Sequence, residues 1–90
     1  MRVALFCHDK PDSLPVRLEN RAAHLAHIES SGVVEMAGPL LDAAGQMCGS
    51  LVVLMVDDLA QAQAWAAADP YAKAGLFASV TVIEWKKVIG

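Results

Sequence analysis

Few side chains in this 90-residue sequence can carry chemistry, and they fall in four places: Arg17 with Arg21, His24, Ser50 and Asp69. An unperturbed imidazole titrates near neutral pH, so His24 could take or deliver a proton. On the helix that Arg21-Ala22-Ala23-His24-Leu25 implies, its azimuth is a boundary one, half in and half out. The plainer reading is a histidine bonded to a backbone carbonyl or a carboxylate. Asp69 lies on the inward azimuth of a later helix, near Ala62 and Ala66, where an isolated carboxylate is costly. It could orient His24 and stabilise the imidazolium, as the carboxylate of a triad does. Asp69-Pro70 also reads as the N-cap and first-position proline of a helical turn, and the two roles are compatible. Ser50 follows Gly49, but Cys48-Gly49-Ser50-Leu51-Val52 is not the G-x-S-x-G elbow of a nucleophile. A ligand hydrogen bond or a plain strand-edge serine is expected there. Arg17 and Arg21 stand on the His24 flank at helical spacing, able to hold an anionic substrate group or to pair with nearby acids. His24 and His27 diverge around the helix and no third ligand is placed, so no metal is expected.

These residues need elements to position them. Val3-Ala4-Leu5-Phe6-Cys7 is a continuous apolar run that fits a strand buried on both faces, over Arg2 to His8. Asp9-Lys10-Pro11-Asp12-Ser13 is turn chemistry, and a helix is predicted from Pro15 to Ser30 with Leu18, Ala22, Leu25 and Ile28 as its core stripe. Ser31-Gly32 closes it. A second strand runs from Val33 to Leu41; Gly38-Pro39 requires that it sit at an edge or carry a bulge. Asp42 to Gln46 is a hairpin turn, Gly49 to Val56 a third strand, and Asp57 or Asp58 caps a helix to Ala68. A short turn over Tyr71 to Ala74 and a fourth strand from Phe77 to Val88 complete a single domain, 1–90.

The order βαββαβ is the ferredoxin-like split arrangement: an antiparallel sheet with two helices on one face. That topology brings Phe6 and His8, Arg17 and Arg21, Gly38-Pro39, Gly49-Ser50 and Asp69-Pro70 to one end of the sheet, where a site belongs. Val33, Leu51, Val53, Val80 and Val82 offer more apolar sheet than two short helices cover, which predicts a homodimer through the sheet face. Trp65, Tyr71 and Trp85 read most simply as core or interface aromatics.

Composition narrows the function. Apolar residues make up 56% of the chain and charged ones 19%, which excludes disorder. The formal net charge is −3 and the basic residues are scattered, so no nucleic-acid face is formed. The longest apolar run, Leu51 to Val56, is far short of the about 20 residues that span a membrane. The run before His8 is too short for an export signal, and Cys7 and Cys48 are too few for a disulfide scaffold. A cytoplasmic protein with reduced thiols is the expectation.

Taken in order, Arg21-Ala-Ala-His24-Leu25, Ala37-Gly38-Pro39-Leu40, Gly49-Ser50, Ala68-Asp69-Pro70-Tyr71, Ala74-Gly75-Leu76 and Trp85 resemble the YCII-related (YciI-like) family over nearly the whole chain. The resemblance implies a dimeric α+β barrel of ferredoxin-like subunits with a pocket in each. It also implies a histidine–aspartate acid/base pair, carried here by His24 and Asp69, with Ser50 nearby. Activity known in that family resembles elimination of halide from a chlorinated hydroxyaromatic; relatives of the same barrel include muconolactone isomerases and monooxygenases. The expectation is therefore a lyase or isomerase without a cofactor. A non-catalytic module that binds a small molecule, or a structural subunit, is the alternative, and turnover separates them.

Overall fold

The computed structural model describes residues 1–90 and contains four strands and three helices in the expected order. They are β1 (Arg2–Asp9), α1 (Leu14–Ser31), β2 (Val34–Leu41), β3 (Met47–Met55), α2 (Leu59–Ala68), α3 (Pro70–Lys73) and β4 (Phe77–Glu84). The strands form one antiparallel sheet in the order β2-β3-β1-β4, the ferredoxin-like arrangement. β2 is an edge strand, as Pro39 requires, with register shifts between Val34 and Met36 and between Leu40 and Leu41.

Local chemistry sets the boundaries. Asp58 caps α2 by accepting the Gln61 N–H at 2.8 Å, and the Gln61 side chain returns a bond to the Asp57 N–H. α1 has Pro15 in its first turn and ends at Gly32, whose φ of 67° suits a residue without a Cβ. Ser13 stands at the N-cap of α1 but bonds back to the Pro11 carbonyl instead of capping. The hairpin between β2 and β3 is tied by Asp42, whose carboxylate accepts the N–H groups of Ala44 and Gln46.

Register decides which face each side chain takes. Val3, Leu5 and Cys7 lie opposite Leu54, Val52 and Ser50, and this face meets the helices. Its core is Val3, Leu5, Cys7, Val52, Leu54 and Val56 packed against Ala62 and Trp65 of α2. Burying each large side chain there contributes about 1.5–3 kcal/mol. The other face carries Phe6, Leu51, Val53, Met55 and Ile83, with Phe6, Met55 and Ile83 substantially exposed.

Four expectations need correction. Val80 and Val82 pair with Cys7 and Leu5, so they belong to the helix side and not to the bare side. β1 is buried on both faces only as far as Ala4; Phe6 stays 39% exposed. β4 stops at Glu84: the Trp85 N–H still donates to the Arg2 carbonyl at 3.0 Å, but β1 begins at Arg2 and offers no partner beyond it. The largest change concerns α1. Leu18 and Leu25 are 54% and 45% exposed, while the helix buries Arg17 and His24. The helix is turned so that ionisable residues, not the leucine stripe, face inward, because they find buried polar partners in α3, β1 and β3. No helix is long and apolar enough to cross a membrane.

Candidate functional site

Turning α1 this way leaves a cleft of about 400 Å³ between it and the β2–β3 strands. One end is polar, lined by Arg17, Arg21, His24, Ser50 and Tyr71; the other is apolar, with Leu25, Ile28, Val34 and Val52 among its walls. The size falls within the range that holds a small organic ligand.

Asp69 sits at the junction of α2 and α3 and is buried. One carboxylate oxygen, Oδ1, caps α3 by accepting the Tyr71 N–H at 3.0 Å and also lies 2.8 Å from His24 Nδ1. The pair expected from the sequence is thus in contact, and Asp69 is cap and partner at once. Since a carboxylate only accepts, Nδ1 carries the proton, and the other ring nitrogen, Nε2, is free to act from the cleft wall.

Tyr71, 2% exposed, stacks on His24 with ring centroids 3.9 Å apart and planes 15° from parallel. Phe77 meets it edge-on at 6.1 Å. Arg17 lies two turns before His24 on the same face of α1, its guanidinium 4.7 Å from the Tyr71 ring centre. The tyrosine ring therefore meets two residues of one helix. Burial holds its hydroxyl above the ordinary phenol range, against the pull of Arg17 and Arg21.

Arg17 is 3% exposed and engages Asp9 through two parallel bonds, Nε to Oδ2 and Nη2 to Oδ1, each 2.8 Å. Nη2 also donates to Ser50 Oγ at 2.9 Å. Burial works against the Arg17 charge, but the bonds and charge of Asp9 outweigh it and hold the guanidinium above its usual range. Asp9 is the residue that sequence reasoning missed, having assigned it to a turn. The signal was the strand alternation: counting every second residue from Val3 through Leu5 and Cys7 puts Asp9 on the helix side too.

Pro39 lies opposite Ser50 across β2 and β3 and lines the cleft, and Arg21 borders it from the exposed side of α1. Phe6 does not join them. It pairs with Leu51 and Thr81, on the opposite face of the sheet from Ser50, because it is the immediate neighbour of Cys7 and strand side chains alternate. His27 turns away from the cleft, its Nε2 3.2 Å from the Trp65 carbonyl and its ring against the indole. Both cysteines are free thiols; Cys48 is only half-buried, whereas burial, with Asp69 nearby, pushes the Cys7 thiol up to about 12.

Fold and site together define a ferredoxin-like α+β protein with one ligand-sized cleft and a histidine–aspartate contact in its wall. The chain belongs to the YCII-related family: the model of the YCII-related domain matches residues 1–86. It is 40% identical over 97 residues to protein YciI of Escherichia coli O6:H1, covering 98% of this chain and 99% of that one. Among solved structures it is similar to 5-chloro-2-hydroxyhydroquinone dehydrochlorinase (TftG) from Burkholderia phenoliruptrix AC1100, in complex with 2,5-dihydroxybenzoquinone. The TM-score is 0.88 at 35% identity, over 96% of this chain and 94% of that one. A MhuD variant with two manganese protoporphyrin IX per active site shares the fold, with a TM-score of 0.54 at 23% identity, over 100% of this chain and 99% of that one.

Proposed function

We propose that this chain is a small-molecule enzyme of the lyase or isomerase type, working without a cofactor, that moves a proton with His24 and Asp69. One observation carries the reading. His24 lines the cleft with Nε2 bonded to no protein group while Nδ1 is held by a buried carboxylate at 2.8 Å, the arrangement that suits a neutral base and then stabilises its conjugate acid. The likeness to a dehydrochlorinase at 35% identity supports a hydroxylated aromatic ring as substrate. On such a ring, Nε2 takes a hydroxyl proton and the imidazolium returns it to the ring carbon bearing halogen. Halide then leaves with the C–X electron pair as a second hydroxyl gives up its proton, so the net loss is one hydrogen halide and the ring becomes a quinone.

The reading includes assembly and place: a cytoplasmic homodimer, joined through the apolar sheet face that carries Phe6, Met55 and Ile83. Light scattering at micromolar concentration tests the dimer, and a stable monomer would refute it. The chemistry is tested by chloride release from 5-chloro-2-hydroxyhydroquinone. The wild type should release chloride, and His24→Gln should slow it about 10²- to 10⁴-fold. A wild type that holds the compound unchanged, or a variant as fast as the wild type, overturns the enzymatic reading.

A further inference from the structure

The hydrogen-bond inventory of the polar end of the cleft is one-sided. Tyr71 Oη makes no hydrogen bond to a protein acceptor; its neighbour is Arg17, itself only a donor, with its guanidinium 4.7 Å from the ring centre. The phenol proton must therefore point elsewhere, into the cleft that Tyr71 lines. Ser50 Oγ accepts from Arg17 Nη2, while its O–H proton has no acceptor among the protein groups. Arg17 has spent Nε and Nη2 on Asp9 and Ser50, which leaves Nη1 as its unengaged donor. All three residues line the cleft, and no buried side-chain nitrogen or oxygen is sealed off without a partner. Tyr71, Ser50 and Arg17 are each at least 97% buried.

We propose that Tyr71, Ser50 and Arg17 form an oxyanion subsite, and that the substrate is an anion: an enolate, phenolate or carboxylate whose oxygen sits against Tyr71 Oη. The inference rests on the cleft being the substrate site of the reading above, and it narrows the substrate class. Three donors with no protein acceptor call for a ligand that accepts; His24 Nε2, bonded to no protein group, calls for a hydroxyl beside the anionic oxygen. Asp9 balances Arg17, and Arg21 at the mouth brings a positive charge to the side from which a negative ligand enters. Tyr71 then acts as a hydrogen-bond donor that stays protonated, stacked on the base it works beside.

The test is binding, read by titration calorimetry at pH 7.5 on the intact protein. The probes are 2,5-dihydroxybenzoquinone, ionised at that pH, and hydroquinone, a neutral ring of similar size. The wild type should prefer the anion by about tenfold or more. Tyr71→Phe, which keeps the stack on His24, should weaken the anion about ten- to hundredfold, the worth of one charge-assisted bond, and leave hydroquinone within about threefold. Ser50→Ala should act in the same direction by a smaller factor, and it carries the test if the Phe variant does not fold. Equal binding of the anion by wild type and both variants, or no preference for the anion, overturns the subsite. The two readings fail separately. Chloride release that depends on His24 without any Tyr71-dependent anion binding removes the subsite alone, and Tyr71-dependent binding with no turnover removes the proton-transfer reading alone.

Discussion

Replacing Asp69 by asparagine removes one charge and almost nothing else, which makes it the sharpest probe of the histidine pair. The amide oxygen can still accept the Tyr71 N–H that Oδ1 now accepts at 3.0 Å, so α3 keeps its cap. What is lost is the interaction of a buried carboxylate with an imidazolium 2.8 Å away. A hydrogen bond to a charged partner contributes about 1.5–3 kcal/mol, and at 1.36 kcal/mol per factor of ten this predicts about a ten- to hundredfold fall in turnover. If the amide turns its NH₂ group toward His24, Nδ1 must accept, the proton moves to Nε2, and the loss approaches about 10⁴-fold. Stability should change by less than about 1 kcal/mol, since no cavity forms and a buried charge is relieved. Asp69→Ala is the contrast: without the cap and with Nδ1 unpaired, it should cost about 2–4 kcal/mol. Chloride release gives the turnover, urea unfolding the stability, and ¹⁵N spectra of the imidazole the tautomer. An asparagine variant with wild-type turnover, or one as unstable as the alanine variant, would refute the reasoning.

Three further outcomes follow from the same geometry. Arg17→Met leaves the Asp9 carboxylate buried without its partner and should destabilise the fold by about 3–5 kcal/mol in urea, with Asp9→Leu added to it recovering part of the loss. Gly49→Ala places a Cβ against the Cys7 carbonyl oxygen in the neighbouring strand, so the melting temperature should fall and the adjacent Ser50 should shift. Cys7, pushed up to about 12 by burial, keeps its proton in the folded state after the unfolded chain has lost it. The folded form then binds more protons, so stability should fall as pH rises from 9 toward 12; native Cys7 should react slowly with maleimide and quickly once unfolded.

What was legible in the sequence followed from backbone chemistry. Gly38-Pro39 marked an edge strand, Asp58 and Asp69-Pro70 marked helix starts, and the order of strands and helices fixed the sheet. The arrival of Arg17, Arg21, Pro39 and Ser50 at one cleft followed from that topology. The α1 face was misread because hydrophobic periodicity assumes that a helix docks through its apolar side. Here Arg17 finds Asp9 and Ser50, and His24 finds Asp69 and Tyr71, so polar residues can be buried at little cost. Phe6 was misplaced by a single step of strand alternation, an error that proximity in topology cannot correct.

The inversion of α1 has a consequence for how the site is probed. In most enzymes the residues that bury a helix and those that do chemistry are different, and a truncation at one leaves the other intact. Here the helix buries two side chains, Arg17 and His24, and both belong to the cleft. Truncating either removes packing, a hydrogen bond and the chemical group together, so loss of activity in an alanine variant says little about role. Substitutions that keep shape and change one property do separate them. Asp69→Asn changes charge, Tyr71→Phe removes one donor and His24→Gln removes the base, while the stack between His24 and Tyr71 survives the first two. The exposed Leu18 gives the complementary control: it shares the helix but does not line the cleft, and its replacement by glutamine should leave both chloride release and anion binding as they are.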